Sequence, residues 1–467
     1  MATAPAGEPQ LRRGLGLRTS TATSAGLAFS ALNYLGAVTV ALFVAGDAAW
    51  LAILIAGLLA LLAAFAFGEL NSLYPTAAAI RLYMKHSMDD RVALTITFTY
   101  MSTIVMVIAA DAFIVGRAIQ YVLFPNQVLA SFPIIAALIL VAVVANLRGV
   151  RIAGNVQDLA TYSVLAITAA VSVMALAGHG FALTTPVTGL FTGRGDPLRA
   201  VVAGVFLFSA FEWVTTTSEE VRDPRLIPRA MLIALVLLYL TTAAFTMALT
   251  SWFPDHTVLR DQPYPQLLLA QKALGQGGLV AMLVGTGITA LNTFNGGFLT
   301  ASRFLYATAR EGNLPRSFSR LNDNAVPYVP VVLLGVSSLV VALLIYLTQA
   351  WLIVVAVGAA LEAMIYAVAA YCVIVLRRRR PDAPRLMRMP FGYVTPVLAL
   401  VIFAVLALAA GFTDPNDPTG TSPLPILLVG VMGALSAVYV LLYTPRLRHH
   451  ATAAAPRSPR RPPRAKS

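Results

Sequence analysis

Charge is scarce in this chain: only 11% of its 467 residues are Asp, Glu, Lys or Arg, where a soluble domain carries about 25%. That excludes an ordinary water-soluble enzyme. Cysteine is scarcer still, and the single Cys372 lies in an apolar run, so no disulfide can form within the chain. The histidines (His86, His179, His256, His449 and His450) fall in loops or the tail without metal-ligand spacing. There is neither a Walker loop nor a nucleotide-binding segment. No metal, cofactor, enzymatic activity or ATP-driven step is expected of this chain.

What is present is apolar. Hydrophobic residues make up 58% of the sequence and the mean hydropathy is +0.78. A helix crossing a hydrocarbon core of ~30 Å needs about 20 residues. Windows of that length predict twelve spans, near 24–44, 48–70, 93–122, 131–147, 153–177, 198–217, 229–250, 277–306, 328–348, 350–376, 393–412 and 424–443. Spans 3 and 8 are long enough to require tilt, and the shortest connection is at Thr348 and Gln349, between spans 9 and 10.

The basic residues set the orientation. Of 33 Lys and Arg, 28 lie in the two tails and the loops 2–3, 4–5, 6–7, 8–9 and 10–11. Arg194, Arg199, Arg260 and Lys272 lie on the opposite side, and Arg117 falls within span 3. The positive-inside rule therefore places both termini in the cytoplasm of a multi-pass protein of the cell membrane. The net charge of +13 follows the loops, so nucleic acid is not an expected partner. The basic start up to Arg18, followed by apolar segments throughout, predicts no cleaved signal peptide. The chain divides into a cytoplasmic N-terminal tail (1–22), a transmembrane domain (23–444) and a disordered basic cytoplasmic tail (445–467). That last tail is either attracted to anionic lipids or a topology determinant.

An internal match falls five spans apart. Span 1 contains Phe29-Ser30-Ala31-Leu32-Asn33-Tyr34 and span 6 contains Phe208-Ser209-Ala210-Phe211-Glu212-Trp213. A five-plus-five inverted repeat puts discontinuous helices at that separation. Small residues there allow a helix break, whose freed N–H and C=O groups are tolerated at membrane depth only beside a cavity. The alternative use of Ser30, Ala31, Ser209 and Ala210 is close helix packing.

Four motifs together resemble the amino acid–polyamine–organocation (APC) superfamily of permeases, in its bacterial amino acid permease form. They are Gly68-Glu69-Leu70 with Tyr74-Pro75 after span 2; Phe211-Glu212-Trp213 through Glu219-Glu220-Val221-Arg222-Asp223-Pro224 to Ile227-Pro228-Arg229; Arg303-Phe304-Leu305-Tyr306 with Arg310-Glu311-Gly312-Asn313-Leu314-Pro315; and the proline-punctuated run Arg380-Pro381, Pro384-Arg385, Arg388 and Pro390. The resemblance covers about residues 20–445. It implies an all-α integral membrane fold of twelve helices with a five-plus-five inverted repeat, like the leucine transporter, discontinuous in helices 1 and 6. Three departures bear on mechanism. The glycines the family uses in span 1 to receive a substrate carboxylate are replaced by Ala31-Leu32-Asn33. The Gly-Gly after Pro75 is Ala78-Ala79, and the span 5 lysine of many bacterial members is Val164. A lysine-based coupling scheme therefore does not transfer.

Ionisable groups at membrane depth are costly and mark function. Glu212 sits on the predicted break of span 6; desolvation penalises its charged form, which suits proton exchange during transport, and the resemblance supports that role. Asp111 in span 3 offers a partner for a substrate ammonium or a proton. Arg117, in the same span, attracts an anion or closes an outer gate, unless it snorkels. Glu362 in span 10 stands where the family is apolar; its expected partner is substrate or a group on span 1, 3 or 6. Glu69, Asp158, Glu219 and Glu220 lie near helix ends, where loop arginines are the cheaper partners. Asn292, Thr293 and Asn295 form no evident sodium cage and read as packing or cavity polars. The expected substrate-binding set is Ser30, Ala31, Asn33, Tyr34, Asp111, Phe206, Phe208, Ser209, Ala210 and Glu362, with Glu212 for proton coupling and Trp213 and Arg117 as gates. The sequence thus predicts a secondary transporter of amino acids or related amines, proton-coupled and working by alternating access. An exchanger, an exporter, or a membrane channel or sensor are the alternatives.

Overall fold

The apolar runs become helices, and the interruptions come where the sequence supplies a cap or a break. The computed structural model describes residues 14–44, 48–76, 79–149, 154–179, 186–191, 196–417 and 420–445. The first span is two helices, α1 (Leu17–Ala28) and α2 (Leu32–Phe43), bent by 58° across Phe29-Ser30-Ala31. Span 2 is α3 (Ala49–Leu73), followed by the short α4 (Ala79–Ser87). Span 3 is α5 (Asp90–Leu123), whose N-cap Asp89 accepts the Arg91 N–H. Spans 4 and 5 are α6 (Ser131–Leu147) and α7 (Gly154–His179), and α8 (Pro186–Phe191) lies in the next connection.

Span 6 opens with α9 (Pro197–Phe206), where Asp196 caps the Arg199 N–H and Pro197 pre-sets the first turn. It breaks after Phe206 and resumes as a 3₁₀ helix over Phe211–Thr217. Spans 7 to 12 are α10 (Leu226–Trp252), α11 (Pro265–Arg310), α12 (Tyr328–Thr348), α13 (Trp351–Arg379), α14 (Val394–Gly411) and α15 (Leu424–Leu442). Eleven helices are long and apolar enough to cross a membrane, and the bent first pair makes twelve. Among the described residues β-structure is confined to three isolated bridges.

Two boundaries differ from the hydropathy reading. The first helix starts at Leu17, upstream of the span edge at 24, because Ser20, Thr21 and Ser24 are buried against protein rather than facing lipid. A helical stretch from Pro265 precedes the predicted start of span 8 at 277, and the two parts of α11 meet at a kink at the non-helical Gly275 (φ 63°). The division between α12 and α13 falls at Gln349, where the hydropathy windows place it; Gln349 takes a left-handed conformation (φ 55°) and ends α12. The basic tail expected to be disordered lies, apart from residue 445, outside the described residues.

The two broken spans run side by side, α2 against α9 and α1 against the 3₁₀ segment. α13 is enclosed over 89% of its apolar stretch, against 11% for α15. The centre of the bundle is therefore the meeting of α13 with the breaks, and α15 is a rim helix facing lipid.

Candidate functional site

The breaks free backbone groups, and side chains from four spans take them up. In the first break the Ser30 N–H donates to Asn33 Oδ1 (3.0 Å), and Asn33 Nδ2 reaches across to the Leu207 carbonyl (2.9 Å). Asn33 thus bolts one break to the other. The Leu32 N–H, at the start of α2, donates to Asp111 Oδ1 and to Ser30 Oγ, each at 3.2 Å. The Ala31 N–H and the hydroxyls of Ser30 and Thr293 complete the surroundings of that carboxylate. Asp111 is fully buried among these donors.

In the second break Ala210 adopts a left-handed conformation (φ 68°), an uncommon geometry for a residue with a Cβ. Its N–H donates to Glu362 Oε1 at 2.7 Å. Glu362 is one corner of a polar cluster. The Tyr100 hydroxyl lies 2.5 Å from Glu212 Oε1 and 3.3 Å from Glu362 Oε1. The Tyr366 hydroxyl lies 3.3 Å from Glu212 Oε2 and 3.2 Å from Glu362 Oε1. Trp213 Nε1 donates to the Tyr100 oxygen (2.9 Å), and the two rings stack. Both acids are buried, and no Lys, Arg or His is within ion-pair reach of either among the described residues.

Two adjoining cavities meet this cluster. The larger, about 300 Å³, is lined by Glu212, Trp213, Tyr100, Thr216, Asn295 and Arg303 among others, and lies toward the end carrying the basic loops. The smaller, about 50 Å³, is bounded by Thr103, Ser209, Ala210, Thr293 and Glu362. Trp213, Leu27, Gly296 and Thr300 border both, so the Trp213 indole stands between vestibule and inner chamber. Of the residues around the smaller cavity, Glu362 is the only ionisable one.

The expected residues divide by place. Glu212, Trp213, Ser209, Ala210 and Glu362 border the cavities, while Ser30, Ala31, Asn33 and Asp111 organise the first break behind them. Tyr34 is turned away: its hydroxyl pairs with Thr168 (2.9 Å) and its ring packs on Phe29 and Phe245. Phe206 and Phe208 are core contacts, Phe206 against Gly36 and Gly358 and Phe208 against Gly57. Arg117 sits away from the cluster beside Tyr264, its Nε buried without a hydrogen bond. Tyr100 and Tyr366 were not singled out in the sequence, where nothing marks a tyrosine in an apolar helix as polar. The helix-end acids pair as expected: Glu69 with Arg377 (2.5 Å) and Arg385 (3.1 Å), Asp158 with Arg18 (2.9 Å), and Glu220 with Arg303 (3.1 Å).

A model of the amino acid permease family matches residues 15–435. The chain is 23% identical to the gamma-aminobutyric acid permease of Bacillus subtilis, over 89% of this chain and 90% of that one. It is 26% identical to L-asparagine permease 1 of Mycobacterium tuberculosis, over 85% and 84%. Among solved structures, the manganese transporter of Eremococcus coleocola superposes with a TM-score of 0.59 at 15% identity, covering 94% of this chain and 98% of that one. At that identity the likeness concerns the fold.

Proposed function

We propose, starting from the fact that the chain belongs to the amino acid permease family, that it is a proton-coupled secondary transporter of small amino compounds working by alternating access. Family membership makes it a membrane transporter of the amino acid permease type and not an enzyme. Coupling is the finer reading, and one observation carries it. Glu212, on the 3₁₀ half of span 6, borders the open vestibule and shares two tyrosine hydroxyls with Glu362. Two carboxylates held together without a cation repel strongly in a low dielectric, which makes the pair a natural place to hold a proton. Losing that proton, or exchanging it for a substrate ammonium, changes the charge beside the Ala210 break and so favours a different packing of the span 6 halves.

In this reading the large cavity is the cytoplasmic vestibule, since the basic loops surround it, and both termini are cytoplasmic. The tails 1–22 and 445–467 flank the transmembrane domain. Substrate passes Trp213 to reach the inner chamber, and Arg117 belongs to the opposite, outer face.

The test uses purified protein in liposomes and a mixed pool of amino acids and amines, with and without an inward proton gradient. Gradient-dependent, saturable accumulation that loses its pH dependence in Glu212→Gln is the expected outcome. Movement only against a preloaded related compound would make the protein an exchanger. Wild-type pH dependence in Glu212→Gln would remove Glu212 from coupling.

A further inference from the structure

A broken helix in a transporter offers two features to an anion: unpaired N–H groups and the positive end of a half-helix dipole. Here both offers are already taken, and by the chain's own carboxylates. At the first break Asp111 Oδ1 accepts the Leu32 N–H at the start of α2, a helix of 12 residues. The Ser30 N–H beside it is spent on Asn33 Oδ1. At the second break Glu362 Oε1 accepts the Ala210 N–H. Both carboxylates come from other spans, α5 and α13, and both are buried.

We infer that Asp111 and Glu362 stand in, from inside the protein, for the carboxylate of a substrate, so that the site takes a primary amine or diamine bearing no carboxylate. The inference rests on the transport reading above and narrows its substrate class. Three observations support it. A zwitterionic amino acid entering the inner chamber would bring its carboxylate to a space whose only ionisable wall is Glu362. Among the described residues no Lys, Arg or His lines that chamber to receive it, and an anion brought in without partners meets its full desolvation cost. An ammonium meets the reverse. Glu362 is on the wall, and the Asp111 carboxylate lies behind Thr293, which borders the same chamber. Ser209 and Thr103 add hydroxyl oxygens on other sides, enough acceptors to surround an ammonium's three protons. The vestibule's cations lie outside this chamber: Arg303 is paired with Glu220 (3.1 Å), and Arg81 with Asp90 (2.5 Å) through one nitrogen.

The experiment compares compounds differing by one carboxylate: putrescine with ornithine, histamine with histidine, and ethylamine with alanine. Each is offered as a labelled probe to wild-type protein in liposomes, by gradient-driven uptake and by counterflow, with ligand-induced thermal shift as a binding readout that needs no transport. The carboxylate-free member of at least one pair is expected to be preferred by about tenfold or more, the factor set by an unpaired buried polar group. Asp111→Ala reopens the first break, so the preference should move toward the amino acid member by about the same factor. Asp111→Asn, which keeps the size and loses the charge, should weaken the amine alone. If Asp111→Ala does not fold, the wild-type pairs still decide. Wild-type protein that takes amino acids as well as or better than their amines overturns this inference and leaves the transport reading standing. If no member of any pair moves or binds, both fall together.

Discussion

Between Glu212 and Glu362 two hydroxyl groups serve more acceptors than they have protons. Tyr100 has a single hydroxyl proton and stands within reach of both acids, and Tyr366 likewise. Not all four contacts can be donated by tyrosine at once, and a carboxyl proton is the natural supplier of the remainder. The two tyrosines are not equivalent. Tyr100 also accepts the Trp213 indole N–H, so its loss strands a buried donor as well as an acid. Tyr100→Phe should therefore slow initial transport by about tenfold or more, and Tyr366→Phe by less, following the ~1–3 kcal/mol of an unsatisfied buried group. Initial rates alongside thermal unfolding of both variants check this; equal rates would mean that the Trp213 link is immaterial. This scale was also the least legible in sequence. Glu212, Glu362 and Asp111 announced themselves as charges in apolar runs. Tyr100 and Tyr366 did not, because their polarity matters only where α5 and α13 converge on the broken span. Glu362, marked as a departure from the family pattern, found its partners on spans 3 and 6, as expected.

The broken spans were far more legible as elements than as sites. The matched hexapeptides of spans 1 and 6 contain Ser30-Ala31 and Ser209-Ala210, and the helices part there. Small side chains permit the break, and close neighbours then enforce it. Gly358 on α13 lies so near Phe206, the last residue of α9, that an added Cβ would meet Phe206 Cε2 at 2.5 Å and Cδ2 at 2.9 Å. A ring wedged in the core cannot yield as a flexible chain end does. Gly358→Ala should destabilise the protein by about 1–3 kcal/mol, the usual cost of overpacking, and displace the end of α9. Thermal unfolding in detergent measures it; an unchanged midpoint would show that Phe206 has room to move. At α11 the hydropathy edge marks a kink inside the helix and misses the turns that precede it. Lys272, Gly275, Gln276 and Gly277 depress the window average, and the non-helical Gly275 (φ 63°) kinks α11 there, so the predicted edge at 277 falls beside a real break.

Across the whole molecule, basic charge is concentrated at one end. The basic loops carry acids with them, and the resulting pairs tie moving parts to fixed ones. α1 is held to α7 by Arg18 and Thr19 on Asp158, by Thr161 on the Ala22 carbonyl and by Tyr162 on the Arg18 carbonyl. If the chain works by the alternating access proposed above, with α1 and the 3₁₀ half of span 6 shifting against α7 and α11, these links would set how readily the vestibule widens. Arg18 is 71% exposed, and screening limits such a pair to about 1 kcal/mol. Asp158→Asn should then favour the wider state by roughly fivefold. A cysteine placed by Thr216→Cys, on the vestibule wall, reports this through its rate of labelling by a membrane-impermeant maleimide. Native Cys372 is fully buried and stays silent. Faster labelling in the Asp158→Asn background, and only from the side of the chain termini, would confirm both the restraint on α1 and the orientation assigned from the basic loops. An unchanged rate would free α1 from that restraint, and labelling from the opposite side would invert the topology.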